Sequence, residues 1–249
     1  MLKVFFVVTI SYGLRMSPSS DHLHLQRLQR ADPDRYFCTL FAPPEARGSL
    51  ALLYLFNNEL ARAREVASEP LLARIRLQWW REVVEGEAKK HEIATPLSAA
   101  LEAGVFARAD LLGLIEAREM EAEGEIPDAA AFFAYARGTA GRLARIAGKV
   151  LGADSPVVED LGTAYGVSGI LRAVSFLAAQ DRSLLPADAT PLEGLVAQAR
   201  ALLNQRPPRA ALAAALPAVF ARRDLGKPFA PRSLSDKFAV LRAAFTGRV

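Results

Sequence analysis

Apolar residues recur along most of this chain at intervals of three and four positions, a spacing that predicts amphipathic helices. The clearest segment spans residues 50–65, where one face is apolar and a second stripe carries Asn57, Ala61 and Glu65. Prolines and glycines separate such segments from one another. No run of alternating apolar and polar residues indicates a strand. The pattern therefore predicts an all-α protein.

The same spacing predicts further helices at residues 21–30, 34–41, 71–85, 96–103, 109–124, 129–151, 156–177, 191–203, 208–223 and 233–245. On the 71–85 helix the apolar side chains near one face are Leu72, Ile75, Trp79 and Val83. Of the adjacent Trp79 and Trp80, we expect one in the core and the other half exposed. No stretch reaches 18 consecutive apolar residues, so no transmembrane helix is expected.

Length and composition fit one helical domain. The chain has 249 residues, of which 51% are hydrophobic, enough for a sizeable core. The single Cys38 excludes an internal disulfide and a zinc cluster built from several thiolates. Residues 1–20 combine a short apolar run with a second methionine, Met16. We therefore expect a poorly ordered or mis-set start, followed by one domain over residues 21–249.

The net charge of +4 is unevenly distributed. Residues 196–249 carry ten Lys and Arg residues against Asp224 and Asp236, a net charge of +8, which leaves −4 for residues 1–195. This basic C-terminal portion suits an anionic membrane surface or an acidic protein, or it is a solvated helical face. No nucleic-acid-binding module accompanies the charge, which argues against nucleic acid as a partner.

The run FAPPEARGSLALLYLF, residues 41–56, resembles the opening helix of the squalene/phytoene synthase family. Residues 71–85, 91–100, 114–121, 135–152 and 162–186 are similar to later segments of that family, in the family's order. The resemblance implies the all-α isoprenoid-synthase fold, in which helices surround a central cavity. In active members, aspartates on two facing helices hold Mg²⁺, which neutralises the diphosphate leaving group of an isoprenyl substrate.

Both of these metal-binding motifs are degenerate in this chain. The first corresponds to Asn57, Asn58, Glu59, Ala61, Arg62 and Glu65, where only Glu65 keeps a family acid. The second corresponds to Arg172, Ala173, Phe176 and Leu177, where no family acid remains. The pocket between the motifs is expected to include Tyr54, Glu121 and Arg182. We therefore expect no metal site and no catalytic residue, with Phe176 and Leu177 as core residues that fill the vacated space.

The arginines near the motifs allow two interpretations. Arg62 falls on an acidic position of the family, where it would repel a metal ion. Arg172 and Arg182 either line the former diphosphate pocket or pair internally, because a guanidinium inside a cavity needs a partner. The acidic candidates for such pairs are Glu59, Glu65 and Glu121.

The stretches FNNELARARE and RLQWWREVVE are similar to the squalene/phytoene synthase-like assembly factors of respiratory complex I, known from mitochondria. The residues that carry this likeness are Asn57, Glu59, Leu60, Ala61, Gln78 and Trp80. The resemblance implies a non-catalytic protein without a cofactor, whose partners are complex I subunits or assembly intermediates. Its expected place is the cytoplasm, or peripherally on the inner membrane.

Two other functions stay open. One is an active prenyl-diphosphate condensing transferase of isoprenoid biosynthesis, which would require Mg²⁺. The other is a module that binds an isoprenoid lipid in the apolar cavity without turning it over.

Overall fold

The computed structural model describes residues 18–65, 70–123 and 125–249. Its α-helices are α1 (Pro18–Ala31), α2 (Pro33–Thr39), α3 (Pro44–Glu65), α4 (Pro70–Glu85), α5 (Ala94–Glu102), α6 (Arg108–Glu123), α7 (Ala129–Ala136), α8 (Arg142–Val150), α9 (Pro156–Ala178), α10 (Leu192–Leu202), α11 (Leu212–Ala215), α12 (Pro217–Asp224) and α13 (Leu234–Thr246). A π-helical segment, Arg137–Gly141, joins α7 to α8, and a 3-10 turn, Arg209–Ala211, precedes α11.

The prediction of an all-α fold is confirmed for the described residues. Within them no strand forms, and a single isolated bridge joins Ile126 to Pro186. Helix α1 begins at Pro18. Residues 1–17, on which most of the expected poorly ordered or mis-set start falls, lie outside the described residues.

Helix starts follow local sequence chemistry. Pro33, Pro44 and Pro70 open α2, α3 and α4, because a proline in the first turn has no intrahelical N–H to lose. Asp128 caps α7 by accepting a hydrogen bond from the backbone N–H of Ala131 at 2.8 Å. Such signals explain why most predicted helices begin within a few residues of their observed starts.

Helix α3 runs through the main core. The buried run on this helix comprises Leu50, Ala51, Leu52, Leu53, Tyr54, Leu55 and Phe56. Helices α1, α4, α5, α6 and α8 all pack against it. With neighbours on several sides, this part of α3 buries its whole circumference, which is wider than the single apolar face predicted from sequence.

Helix α4 buries a different face from the predicted one. Its core side chains are Ala73, Leu77, Trp80, Val83 and Val84. Leu72 and Ile75 are exposed instead, Ile75 to 57%. Trp80 packs edge to face on Phe56 with ring centroids 5.4 Å apart, whereas Trp79 is half-buried. The expectation for the tryptophan pair is confirmed. The predicted buried face is wrong except for Val83, because α4 carries apolar side chains on several sides and their spacing does not single out one face.

Helix α9 lies very close to the segment that contains the π turn. A Cβ atom placed on Gly162 would lie 2.4 Å from Cβ of Ala144, and one on Gly166 would lie 2.6 Å from Cβ of Ala140. Glycine at both positions therefore permits the close approach of the two helices. This approach fixes the position of α9 along one wall of the cavity described below.

Among the described residues, α9 is also the one helix long and apolar enough to cross a membrane by length and composition. The sequence of α9 contains no long uninterrupted apolar run, since polar residues such as Thr163 and Ser168 interrupt it. Both of these are buried, and α9 packs against α8, α10 and α12. This is the packing of a core helix.

Some of the basic residues in the C-terminal portion form ion pairs within the fold. Arg232 lies 2.7 Å from a carboxylate oxygen of Asp34 and 2.8 Å from one of Asp224. Arg223 pairs with Asp236, which joins α12 to α13. These arginines hold the C-terminal helices in place, so they do not belong to a purely solvated face.

Candidate functional site

A cavity of about 330 Å³ opens between α3, α6, the π segment and α9. Its polar lining consists of Asp32, Arg35, Asn57, Asn58, Arg118, Glu121, Tyr135, Thr139, Tyr165 and Arg182. Its apolar lining consists of Ala61, Ala140, Gly166, Gly169, Ile170, Ala173, Phe176, Leu177 and Leu184. The π segment contributes Thr139 and Ala140, and such segments are frequent at functional sites. Both degenerate motifs thus contribute to one cavity.

Glu121 is surrounded by hydrogen-bond donors in the polar wall. One carboxylate oxygen accepts a hydrogen bond from Nη1 of Arg118 at 2.6 Å and another from the hydroxyl of Tyr135. Nη2 of Arg182 lies 3.5 Å from the other oxygen. Arg182 therefore both lines the cavity and pairs internally. Both interpretations offered for Arg182 thus apply together, and Glu121 is the one of the three acidic candidates with which it pairs.

Arginine charge exceeds carboxylate charge in this lining: Arg35, Arg118 and Arg182 face Asp32 and Glu121. Nε of Arg118 and Nη1 of Arg182 are buried and have no hydrogen-bond partner among the described residues. An unsatisfied buried donor costs free energy, more so on a charged group. These two atoms therefore favour a ligand that brings acceptor oxygens or negative charge.

The pKa of Tyr135 is raised, because burial and the nearby Glu121 disfavour the phenolate more than Arg118 favours it. Tyr135 therefore stays neutral, and its hydroxyl donates a hydrogen bond to Glu121. Burial lowers the pKa of Arg118, but attraction to Tyr135 and Glu121 outweighs it and the pKa is raised. Arg118 therefore remains a cation.

Arg35 forms a second charged group beside the cavity. Its guanidinium lies 2.6 Å from Asp32, and its central carbon is 4.9 Å from the ring centroid of Tyr165 and 5.6 Å from that of Tyr54. Burial lowers the pKa of Arg35, but attraction to Asp32 outweighs it and the pKa is raised. Tyr54, expected in the pocket, lies behind Arg35 and lines a smaller adjoining space.

The first motif divides between the cavity and the surface. Its residues that line the cavity are Asn57, Asn58 and Ala61. Glu59 and Arg62 lie outside it and contact each other at 3.5 Å. The expectation that Arg62 occupies a metal position is wrong, because one helical step turns its side chain about 100° away from that of Ala61. The side chain of Glu65 lies outside the described residues.

The second motif lines the cavity through Ala173, Phe176 and Leu177. Leu177 is buried, but Phe176 is 60% exposed. The expectation of a core residue is therefore wrong for Phe176, which lies at the open side of the cavity near the end of α9.

Arg172 does not line the cavity. Its Nη1 lies 3.1 Å from Asp224, and its Nη2 donates to the carbonyl oxygen of Ala230 at 3.0 Å. Arg172 thus pairs internally, but with none of the three predicted acids, because Asp224 reaches it from α12.

The residues of the cavity do not fit Mg²⁺, which requires several oxygen ligands in near-octahedral geometry. Ala61 and Ala173 offer no ligand, and the carboxylates of Asp32 and Glu121 are each held by arginine. In the described ranges, no group of three or more His, Cys, Asp or Glu residues could hold a metal ion. The donor set suits an anion rather than a cation.

Sequence reasoning missed six polar residues of this lining: Asp32, Arg35, Arg118, Tyr135, Thr139 and Tyr165. The charge-rich stretch that contains Arg118 has the composition of a solvated face. One signal was available, since Arg118 lies three positions before Glu121 and therefore shares a helix face with it. Arg35 and Tyr135 reach the site through tertiary packing, for which the periodic pattern gives no signal.

The squalene/phytoene synthase family profile matches residues 28–194. The chain is also similar to NADH dehydrogenase (ubiquinone) complex I, assembly factor 6, from Homo sapiens, with 27% identity over 186 residues, and from Bos taurus, with 28% identity over 198 residues. These matches cover 71% and 76% of this chain but 56% and 59% of the relatives. The chain thus spans somewhat more than half the length of the curated relatives it matches.

Two solved structures show the same fold. A dehydrosqualene synthase in complex with ligand has a TM-score of 0.72 at 15% identity, over 92% of this chain and 96% of that one. Squalene synthase HpnC from Alicyclobacillus acidocaldarius has a TM-score of 0.64 at 17% identity, over 91% and 94%. These likenesses confirm the isoprenoid-synthase fold. Because the family profile covers more than half of the chain, this protein belongs to the squalene/phytoene synthase family.

Proposed function

We propose that this protein is a non-catalytic member of its family that assists the assembly of respiratory complex I. The observation that carries the proposal is the cavity lining, where Ala61 and Ala173 replace acids and Glu121 is already held by two arginines. The curated relatives, named as complex I assembly factors, support the same role. Complex I subunits or assembly intermediates are the proposed partners.

Helix α4 offers a surface that suits a protein partner. Gln78 and Trp80 on this helix carry part of the likeness to the assembly factors. The exposed or half-exposed apolar side chains on its outer side are Leu71, Leu72, Ile75 and Trp79. A contiguous exposed apolar patch is typical of an interaction site. Arg74 and Arg76 flank it, so the proposed complex I partner presents apolar groups beside acidic ones.

The proposed location is the cytoplasm, peripherally on the inner membrane. Complex I is a membrane enzyme, and a factor that assists its assembly must reach the membrane or an intermediate on it. The +8 charge of residues 196–249 supports this location, because basic residues are attracted to anionic lipid.

Deletion of the gene from its host tests the assembly role. We expect less assembled complex I and lower NADH:quinone activity in the membranes, with recovery when the wild-type gene is returned. A Leu71→Asp/Ile75→Asp variant should fail to restore activity while it keeps its unfolding temperature. Leu23→Asp, at an exposed leucine on α1, is the matched control. Unchanged complex I in the deletion strain would overturn the proposal.

A second candidate function is the binding of an isoprenoid lipid that has an anionic head group, without turnover. The unpartnered Nε of Arg118 and Nη1 of Arg182 beside an apolar lining favour it. A cavity of about 330 Å³ falls within the usual size range of ligand sites. An assembly factor that carries such a lipid is compatible with both functions.

A further inference from the structure

Helix α13 has two apolar faces, only one of which is used by the fold. Val240 and Ala243 are buried on the inner face. The outer stripe, which we call the α13 stripe, consists of Leu234, Phe238, Leu241 and Phe245, all exposed. Their spacing of four, three and four residues places them on one side of the helix. Phe238 is 67% exposed and Phe245 77%, unusual for large aromatic residues.

The helix that carries this stripe is well fixed. Ser233 and Asp236 form a reciprocal capping box at its start. Gly247 ends it in the left-handed conformation, with φ of 69°. Arg223 of α12 pairs with Asp236. The α13 stripe is therefore an ordered surface held against the rest of the protein.

The charges around the stripe are basic. Lys237 and Arg242 lie about 70° to either side of it on the helix, both with exposed side chains. Asp236 is the only acidic residue in the sequence of α13, and it faces inwards to Arg223. Arg248 lies two residues beyond the end of the helix, and Lys227 lies in the loop that precedes it. An anionic or neutral apolar surface that approached the stripe would therefore not be repelled by a negative charge on α13.

We propose that α13 docks this protein on an anionic membrane surface, with the α13 stripe among the acyl chains and Lys237 and Arg242 at the phosphate level. A large apolar stripe with basic residues on both sides is the pattern of helices that lie in a membrane interface. The basic flanks add attraction to anionic head groups. The inference deepens the peripheral membrane location proposed above and rests on it.

The loop that leads into α13 also contacts the end of α9 near the cavity. The loop before α13 carries the exposed Phe229, whose ring centroid lies 4.7 Å from the guanidinium carbon of Arg172. Arg172 precedes Phe176, at the open side of the cavity, by one turn of α9. The loop before α13 thus lies beside the part of α9 that leads to the open side of the cavity.

Co-sedimentation of the purified full chain with vesicles tests the inference. We expect binding to vesicles of phosphatidylcholine mixed with phosphatidylglycerol, weaker binding to pure phosphatidylcholine, and loss of binding as salt is raised. Phe238→Ser/Phe245→Ser should weaken binding at least about tenfold, since each phenylalanine loses its transfer into the bilayer. Lys237→Glu/Arg242→Glu should weaken it on anionic vesicles. Unchanged unfolding temperatures establish that both variants fold.

The matched control is Leu23→Ser/Leu192→Ser, which removes two exposed leucines of α1 and α10 and should bind vesicles like the wild type. Equal binding by the wild type and the Phe238→Ser/Phe245→Ser variant would overturn the inference. So would a wild-type dimer, measured by light scattering, that this variant dissociates, because the α13 stripe would then be covered by a second copy. The assay contains only protein and lipid, so its failure is distinct from unchanged complex I in the deletion strain.

Discussion

Glu121 shows how partners decide what a single residue can do. The family pattern places a carboxylate at this position, where it could serve metal chemistry. Here its oxygens are occupied by donors from Arg118, Tyr135 and Arg182. A carboxylate held in this way stabilises two buried arginines and is not available as a metal ligand.

Glu121→Gln should therefore destabilise the protein. The substitution leaves two largely buried guanidiniums without their charged partner, and we expect a loss of about 2–4 kcal/mol in the free energy of unfolding. Glu119→Gln, on the same helix, removes the partially exposed pair with Arg81 and should cost less than about 1 kcal/mol. Urea denaturation measures both. Similar losses for the two variants would contradict the role given to Glu121.

Asp236 is the residue whose contribution should depend most clearly on pH. Burial raises its pKa, but hydrogen bonds from the backbone of Ser233 and from Arg223 outweigh this and lower the pKa from 3.8 to about 2. Because the folded pKa is the lower one, the stabilisation is complete above about pH 4 and is lost as pH falls to about 2.

Asp236→Asn should therefore unfold more easily than the wild type at neutral pH, by about 1 kcal/mol as for a lost helix cap. The difference should shrink between pH 4 and pH 2. Denaturation curves of both proteins across this range provide the test. A difference that persists unchanged at pH 2 would show that the carboxylate charge is not what stabilises α13.

At the scale of elements, periodicity located the helices more reliably than their faces. The predicted helix over residues 71–85 corresponds closely to α4, yet the structure buries Leu77 and exposes Ile75. Apolar residues surround α4, so only its packing against α3 and α6 selects the buried side. The single helix predicted over residues 129–151 is divided by the π segment in the structure. The sequence did not predict this segment, because a widened turn leaves the apolar pattern nearly intact.

Family resemblance predicted part of the cavity lining, but not the contacts of every motif residue. Asn57, Ala61 and Ala173 lie where the aligned motifs place them. The exposure of Phe176 and the pairing of Arg172 with Asp224 depend on segments distant in sequence. Neither outcome has a local signal.

The close approach of α9 to the π segment gives a prediction for one element. Gly162→Ala places a Cβ 2.4 Å from Ala144 and 2.7 Å from the carbonyl oxygen of Ala140, so the helices must separate. We expect a loss of about 1–3 kcal/mol in the free energy of unfolding. Gly169→Ala, on the same helix with open space around its Cβ, should be neutral or slightly stabilising. Equal stability of the two variants in urea would contradict the packing argument.

At the scale of the whole molecule, the cavity should accept an anionic lipid without help from a metal. Farnesyl diphosphate should raise the unfolding temperature equally with Mg²⁺ and with EDTA. Gly169→Leu should abolish the shift by filling the cavity. Gly194→Leu, on α10, is the control, since its Cβ also meets open space but lies outside the cavity. A shift that survives in Gly169→Leu would place the ligand elsewhere.

The molecule as a whole combines a family fold with a cavity lined for anions and two exposed apolar surfaces, on α4 and α13. The α4 surface lies beside the core cluster around α3, whereas α13 packs in a separate cluster with α12. The proposed protein partner and the proposed membrane contact would therefore use separate helices. Such an arrangement suits a factor that brings a partner to a membrane.

The central claim is that this fold has kept its cavity and lost its chemistry. The most direct test incubates the purified protein with farnesyl or geranylgeranyl diphosphate and Mg²⁺ and measures diphosphate release and condensed product, beside an active synthase of the same family. The account predicts no release and no product above the protein-free background. Sustained Mg²⁺-dependent turnover would contradict it.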